Sequence, residues 1–166
     1  MTRRGIVLLR HAKAEQPDQM ADTERGLTPR GHSDAAHAGR WLASQELWPE
    51  LVVCSPARRT RQTWHEVSAA GPQVPTRFEP LLYGGTARDL MTLVRSLDAD
   101  VSRVLVVGHN PTISYFSALL DPAGASDSGL RTCGIAVHEF TGDWSGCGPE
   151  AAPSTNAYTA RGANAG

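Results

Sequence analysis

An apolar run near the amino terminus ends abruptly in basic side chains. The run 6–9 is followed at once by Arg10 and His11 and, one residue later, by Lys13. A short run of this kind is typical of a buried strand in a parallel sheet. Desolvating an unpaired arginine beside a histidine is costly, so the natural counter-charge is an external anion, and phosphate fits this role best. The sequence therefore predicts an anion site at the end of the first strand.

The same order of apolar strand, sharp end, basic residue and helix occurs twice more. The strand predicted at 51–54 leads through Ser55-Pro56 into an arginine-rich helix, and the strand predicted at 103–107 ends at His109. In sheets built from strand-crossover-strand units, ligands bind at the carboxyl ends of the strands. The basic residues expected to meet there are Arg10, His11, Arg59 and His109. Together they predict a cationic pocket that can hold the terminal oxygens of a phosphoryl group.

Helix signals lie between these strands. Thr28-Pro29 predicts the start of a helix, Thr86 with Asp89 forms a capping-box pattern, and Asn110-Pro111 predicts another helix start. A brief strand is predicted at 76–78 and a final strand, near a sheet edge, at 133–140. The alternation of strands and helices indicates an α/β fold in three layers, with a mainly parallel central sheet flanked by helices.

Composition limits the function classes. A length of 166 residues suits one domain, expected over residues 1–140, followed by a Gly/Ala/Ser/Pro-rich tail at 141–166 that should be loosely ordered. A net charge of −1 argues against nucleic-acid or anionic-membrane partners. No membrane-length apolar run or secretory signal is present, so a cytoplasmic location is expected. Three cysteines without C-x-x-C spacing favour free thiols over disulfides or a zinc site.

Three sequence blocks together resemble a known family. They are Leu9-Arg10-His11-Ala12, Ser55-Pro56-x-x-Arg59-x-x-Gln62-Thr63 and Val107-Gly108-His109-Asn110-Pro111. These blocks are similar to the signatures of the histidine phosphatase (phosphoglycerate mutase-like) superfamily. The short length, the Arg-His-Ala-Lys form and the block Leu27-Thr28-Pro29-Arg30-Gly31 resemble its short phosphohistidine phosphatase branch, the SixA type. The resemblance covers roughly residues 5–140 and implies a phosphoglycerate mutase-like fold and a covalent mechanism through a phosphorylated histidine.

The resemblance also implies roles for individual residues. His11 would be the nucleophile that attacks phosphorus, Arg10 and Arg59 would clamp the phosphoryl oxygens, and His109 would be a second donor across the phosphate. No metal and no other cofactor is expected, because the pocket is already cationic. Further candidates for contact with phosphate or substrate are Lys13, Arg25, Ser55 and Tyr83.

The sequence contains no clear match to a general acid. Ester-cleaving members of the superfamily use a mid-chain Glu or Asp to protonate the leaving oxygen, and Glu79 is the nearest candidate here, with Asp89 better explained as a helix cap. A site without a strong general acid suits phosphohistidine, because its nitrogen leaving group can be protonated without help from the enzyme. The sequence thus favours hydrolysis of phosphohistidine in proteins.

Two other functions stay open at this point. One is a small-molecule phosphomonoesterase or mutase of the same superfamily, acting on a phosphorylated metabolite. The other is a phosphate-binding module without turnover, which the presence of all four central basic residues disfavours. The sequence leaves the oligomeric state undefined, and the specificity loops are expected at 12–27 and 79–86.

Overall fold

The central sheet has six strands in the order β3-β2-β4-β1-β5-β6, in a computed structural model that describes residues 2–161. The strands are β1 (Arg3–Arg10), β2 (Leu51–Cys54), β3 (Thr76–Phe78), β4 (Arg103–Gly108), β5 (Gly134–Thr141) and β6 (Ser154–Thr159). The first four run parallel, β5 is antiparallel to β1, and β6 is antiparallel to β5. The predicted α/β fold with a mainly parallel sheet is confirmed.

Helices cover both faces of this sheet. They are α1 (Pro29–Ser44), α2 (Arg58–Ser68), α3 (Leu81–Gly84), α4 (Ala87–Arg95) and α5 (Thr112–Leu120), with short 3-10 helices at Asp22–Glu24, Pro122–Gly124 and Trp144–Gly146. Side chains of β1 alternate between two cores: Ile6 and Leu8 pack with α4 and α5, whereas Val7 and Leu9 pack with α1 and α2. Because successive strand residues point to opposite faces, the continuous apolar run feeds both cores and produces three layers.

The helix starts agree with the sequence signals in two of four cases. Thr28 caps α1 by accepting the Gly31 N–H at 3.0 Å, and Thr86 forms a capping box with Asp89 at the start of α4. In contrast, Ser55 does not cap α2, which begins at Arg58 after Ala57. Asn110 does not cap α5 either. The Ser55 side chain instead contacts His109, and the Asn110 side chain donates to the Leu130 carbonyl, both near the predicted site.

The prediction of a loosely ordered tail is wrong for residues 141–161, which include the end of β5. Trp144 is fully enclosed in the core beside α4 and α5, and β6 pairs with β5 along its length. Strand β5 therefore lies next to the edge strand β6, which agrees with the prediction of a strand near the sheet edge. The segment is ordered by backbone pairing and one buried aromatic ring, although its composition is poor in large apolar residues. Residues 162–166 of the predicted tail lie outside the described residues.

Residues 2–161 contain no helix with the length and apolar character needed to cross a membrane. The three cysteines, Cys54, Cys133 and Cys147, are buried free thiols.

Candidate active site

The carboxyl ends of β1, β2 and β4 lie side by side and bring the predicted basic residues together. Arg10 pairs with Gly108 in the parallel register of β1 and β4, so the next residues, His11 and His109, become neighbours. Their imidazole ring centroids are 5.4 Å apart. The topology thus produces the convergence that the strand-end pattern predicts.

A cavity of about 220 Å³ opens at this edge. Its lining residues are mostly basic or polar: Arg10, His11, Lys13, Ala14, Gln16, Arg25, Arg59, His109, Asn110 and Thr132. Six of these ten come from β1 and the loop that follows it, so the first strand and its loop form most of the wall.

His11 is buried and holds a defined ring orientation. Its Nδ1 atom lies 2.8 Å from the carbonyl oxygen of Ala12. A carbonyl oxygen only accepts hydrogen bonds, so Nδ1 carries the proton and Nε2 of the neutral ring keeps a lone pair. Burial, together with the charges of Arg59 and Arg10, lowers the pKa of His11 to about 4. The ring is therefore neutral at pH 7 and chemically able to act as a nucleophile.

His109 is also buried, and burial and the Arg59 charge lower its pKa to about 3. Its Nε2 atom lies 2.7 Å from the Oγ atom of Ser55. Its Nδ1 atom is buried and has no hydrogen-bond partner among the described residues. The rings of Tyr83 and His109 meet in a T-shaped arrangement, with their centroids 5.5 Å apart.

Two arginines line the site. Arg10 donates from Nη1 to the Leu130 carbonyl at 3.2 Å. Arg59 lies at the start of α2, and its side chain is buried. In both side chains the Nε atom is buried without a partner in residues 2–161. Unpaired buried N–H groups are rare in folded proteins, and both arginines line the cavity, so their guanidinium groups are suited to bind an oxyanion there.

Asp22 holds the outer edge of this site, and the sequence analysis missed it. Arg59 donates to the Asp22 carbonyl at 2.8 Å and to its carboxylate at 3.1 Å, while Arg25 and Tyr83 donate to the same carboxylate at 3.0 and 2.5 Å. The Tyr83 hydroxyl and the two arginines lower the pKa of Asp22 to about 2. Only its spacing of three residues from Arg25 could have drawn attention to this aspartate.

Two more candidates from the sequence line the cavity. Arg25 also donates to the Glu15 carbonyl at 3.1 Å, and Lys13 is exposed at the rim. Ser55 and Tyr83 are not lining residues, since Ser55 lies behind His109 and Tyr83 lies over the Asp22 carboxylate. Both therefore contact site residues instead of the cavity itself.

The structure does not bring Glu79 to the cavity. Glu79 follows β3, two strands away from β4 in space, and its carboxylate lies 3.7 Å from the guanidinium of Arg77. Asp89 is occupied by its capping box. Asn110, read from the sequence as a helix cap, instead lines the cavity and donates to the Leu130 carbonyl at 2.7 Å. Within residues 2–161 no group of three or more His, Cys, Asp or Glu side chains is arranged to hold a metal ion.

Comparison with known proteins places this geometry in a family. Residues 6–83 match the sequence model of the Histidine phosphatase superfamily (branch 1). The phosphohistidine phosphatase SixA of Escherichia coli (strain K12) is 31% identical over 135 residues, which cover 79% of this chain and 82% of that protein.

Solved structures agree over nearly the whole chain. A structure from Nakamurella multipartitia described as phosphohistidine phosphatase SixA has a TM-score of 0.84 at 34% identity and covers 96% of this chain and 98% of its own. A structure of the protein histidine phosphatase SixA complexed with tungstate has a TM-score of 0.80 at 26% identity, covering 93% and 96%. The chain therefore belongs to the histidine phosphatase superfamily and is a phosphatase of the SixA type.

Proposed function

We propose that this phosphatase hydrolyses phosphohistidine in proteins through a phosphorylated His11. The observation that carries the proposal is a set of buried nitrogen atoms without a partner among the described residues, on three residues that line the cavity beside the neutral His11: Nε of Arg10, Nε of Arg59 and Nδ1 of His109. A phosphoryl group supplies acceptor oxygens for the two arginine N–H groups. Phosphoryl transfer needs positioning and positive charge above all, and this cavity offers both.

In the first chemical step, the Nε2 lone pair of His11 attacks phosphorus while the bond to the leaving group breaks. Arg10 and Arg59 bind the equatorial oxygens, and His109 donates to a third position as charge spreads in the transition state. Water then attacks the phosphorylated His11, which releases inorganic phosphate and restores the neutral ring. The tungstate in a SixA relative supports this reading, because tungstate is a tetrahedral oxyanion like phosphate.

Residues 2–161 place no protonated carboxyl group in the site, which favours a nitrogen leaving group. The carboxylate that these residues hold against Arg59 is that of Asp22, and its pKa of about 2 keeps it ionised at neutral pH. His109 is neutral, with a pKa lowered to about 3, so it has no acidic proton to give. An alkoxide leaving from an ester needs such a proton, whereas the imidazole of phosphohistidine takes up its proton directly from water.

The test is a comparison of substrates in the presence of a chelator. A protein carrying phosphohistidine is assayed against a panel of small phosphomonoesters, with phosphate release as the readout. We expect kcat/KM for the phosphoramidate to exceed that for the esters by about 10²-fold or more, the size of a missing acid. A preference for an ester would identify a small-molecule phosphatase, and binding of inorganic phosphate without any turnover would identify a phosphate-binding module.

A further inference from the structure

A buried hydroxyl lies behind the second histidine of the cavity. Ser55 is fully buried, and its Oγ atom has two neighbours within hydrogen-bond distance among the described residues. One is the backbone N–H of Ala57 at 3.3 Å, and the other is Nε2 of His109 at 2.7 Å. The direction of the second hydrogen bond decides which nitrogen of His109 carries a proton.

Counting donors settles this direction. A serine hydroxyl has one hydrogen to donate and two lone pairs, and the Ala57 N–H can only donate to it. If Nε2 of His109 also donated, the hydroxyl hydrogen would be buried without an acceptor among the described residues, which is energetically costly. The hydroxyl therefore donates to Nε2, and Nε2 accepts.

The remaining proton of His109 must then sit on Nδ1. The ring is neutral because burial and the Arg59 charge lower the pKa of His109, so it carries a single N–H. Its Nδ1 atom is buried without a partner in residues 2–161, and His109 lines the phosphate-sized cavity. A donor at this position matches an incoming phosphoryl oxygen, whereas a bare lone pair would repel it.

We propose that Ser55 is a positioning residue that fixes the tautomer of His109, so that Nδ1–H is offered to the phosphoryl group. Both histidines of the cavity then carry their proton on Nδ1 but have opposite tasks. In His11 the Ala12 carbonyl accepts a hydrogen bond from Nδ1–H and leaves Nε2 free to attack, whereas in His109 the Ser55 hydroxyl donates to Nε2 and leaves Nδ1–H free to donate. The effect on turnover rests on the proposed function, but the tautomer is a property of the free protein.

The first test reads the tautomer without any substrate. Long-range ¹H–¹⁵N correlation spectra of the ¹⁵N-labelled protein at pH 7 distinguish a protonated from a bare ring nitrogen. We expect His109 to show a protonated Nδ1 and a bare Nε2 in the wild-type protein. In Ser55→Ala the Nε2 partner is lost, and we expect a mixture of the two tautomers.

The chain offers a matched control for this variant. Ser117 Oγ lies 2.7 Å from Nε2 of His138, the same pair of atoms at the same distance, and neither residue lines the cavity of the site. Ser117→Ala should leave the His109 spectrum and the turnover number unchanged. Ser55→Ala should lower kcat by about tenfold or more, in line with the loss of one oriented donor in a transition state, with a smaller change in KM.

Specific results would overturn the proposal. A wild-type spectrum with a protonated Nε2 and a bare Nδ1 on His109 contradicts it, even if Ser55→Ala fails to fold. So does a folded Ser55→Ala variant that keeps both the wild-type His109 tautomer and the wild-type kcat. If His109 has the expected tautomer but the wild-type protein hydrolyses no phosphorylated substrate, the proposed function fails while the assignment of Ser55 to the tautomer stands.

Discussion

At the scale of single residues, the site depends on two histidines that are kept neutral. Burial is the largest cause of the lowered pKa of both His11 and His109, and the neighbouring arginines act in the same direction. A neutral ring is required of a nucleophile, and it also leaves the positive charge of the cavity to the arginines. Burial and the arginines thus provide both a neutral nucleophile and a positively charged cavity, which phosphoryl transfer requires.

The neutral histidines give the fold a pH dependence. The pKa values of about 4 for His11 and about 3 for His109 lie below the ordinary value of 6.5, so the unfolded chain binds more protons as the pH falls below 6.5. The stabilising effect of the neutral rings is present above pH 6.5, and we expect the free energy of unfolding to fall from there toward pH 4. Asp22 contributes only at lower pH, because its pKa is lowered from 3.8 to about 2.

Urea unfolding at several pH values between 7 and 4.5 measures this effect. The variant His11→Asn should show a shallower decrease, because one of the titrating rings is absent. A free energy of unfolding that stays constant or rises as the pH falls through this window would contradict the assigned protonation states.

Glu79 provides a second test at this scale. Its carboxylate lies 3.7 Å from Arg77 and outside the cavity lining, so Glu79→Gln should leave phosphohistidine turnover within about twofold of wild type. Steady-state kinetics on the phosphoramidate and on an ester would measure this. A collapse of turnover would mean that Glu79 reaches the reacting group, as the sequence pattern first suggested.

At the scale of elements, the loop between β1 and α1 is fastened to α2. Thr63 accepts the Ala12 N–H at 3.0 Å, Gln62 accepts the Leu27 N–H at 2.8 Å, and Arg59 donates to Asp22. These contacts give Arg59, Gln62 and Thr63 each a partner in this loop. Hydrogen bonds from these three residues, which lie within little more than one turn of α2, hold the loop that carries Lys13 and Arg25.

Gly31 shows how closely this loop packs on α1. A Cβ atom at Gly31 would lie 2.2 Å from the Lys13 carbonyl oxygen, and displacing this backbone atom would be energetically costly. The same carbonyl accepts the Thr28 N–H at 2.9 Å. The block Leu27-Thr28-Pro29-Arg30-Gly31 therefore combines a helix cap with a close backbone approach beside the site.

Asp22→Asn tests the fastening of this loop. The amide keeps the size of the carboxylate but loses its charge, so the hold on Arg59 and Arg25 weakens. We expect kcat/KM to fall about tenfold, the cost of roughly one charge-assisted hydrogen bond. Tyr83→Phe removes one donor to Asp22 and leaves both arginine contacts, so its effect should be smaller. Equal rates in wild type and Asp22→Asn would show that Arg59 needs no counter-charge.

At the scale of the whole molecule, the sequence predicts most of the sheet and the centre of the site. β2 and β3 begin and end where predicted, and Arg10, His11, Arg59 and His109 line one cavity. Apolar runs and strand ends are local signals, so they can be read without knowing the fold. The contact of Asp22 with Arg59 and that of Ser55 with His109 could not be read in this way, because the members of these pairs are 37 and 54 residues apart along the chain.

The carboxyl-terminal segment is the largest departure, and a local signal could not have revealed it. Trp144 donates from Nε1 to the Val101 carbonyl at 2.7 Å. The Cζ atom of Arg4 lies over the Trp144 ring, 5.5 Å from the ring centroid. Val101 and Arg4 are remote from Trp144 in sequence, whereas Phe140, at the end of β5, is a near neighbour whose ring centroid lies 5.5 Å from that of Trp144. The residues that follow Trp144 are small. One aromatic side chain and the pairing of β6 thus anchor a segment whose composition suggests disorder.

Trp144→Ala measures the contribution of this segment to the fold. Truncating a buried tryptophan costs about 3–5 kcal/mol, so we expect a loss of this size in urea unfolding. Tyr115 is 65% exposed, and Tyr115→Ala, the matched control, should change the free energy of unfolding by less than about 0.5 kcal/mol. Similar values for the two variants would mean that the carboxyl-terminal segment adds little to stability.

The most direct measurement of the central claim is a rapid-quench search for phosphate bound to the enzyme. The protein is mixed with a ³²P-labelled phosphohistidine protein and quenched in alkali, which preserves phosphohistidine, and the labelled residue is located by peptide mapping. We predict transient label on His11, its loss in His11→Ala, wild-type labelling in the surface control His65→Ala, and a fall in turnover of about 10⁴-fold or more in His11→Ala. Full turnover in a folded His11→Ala variant, or label on another residue, would contradict the account.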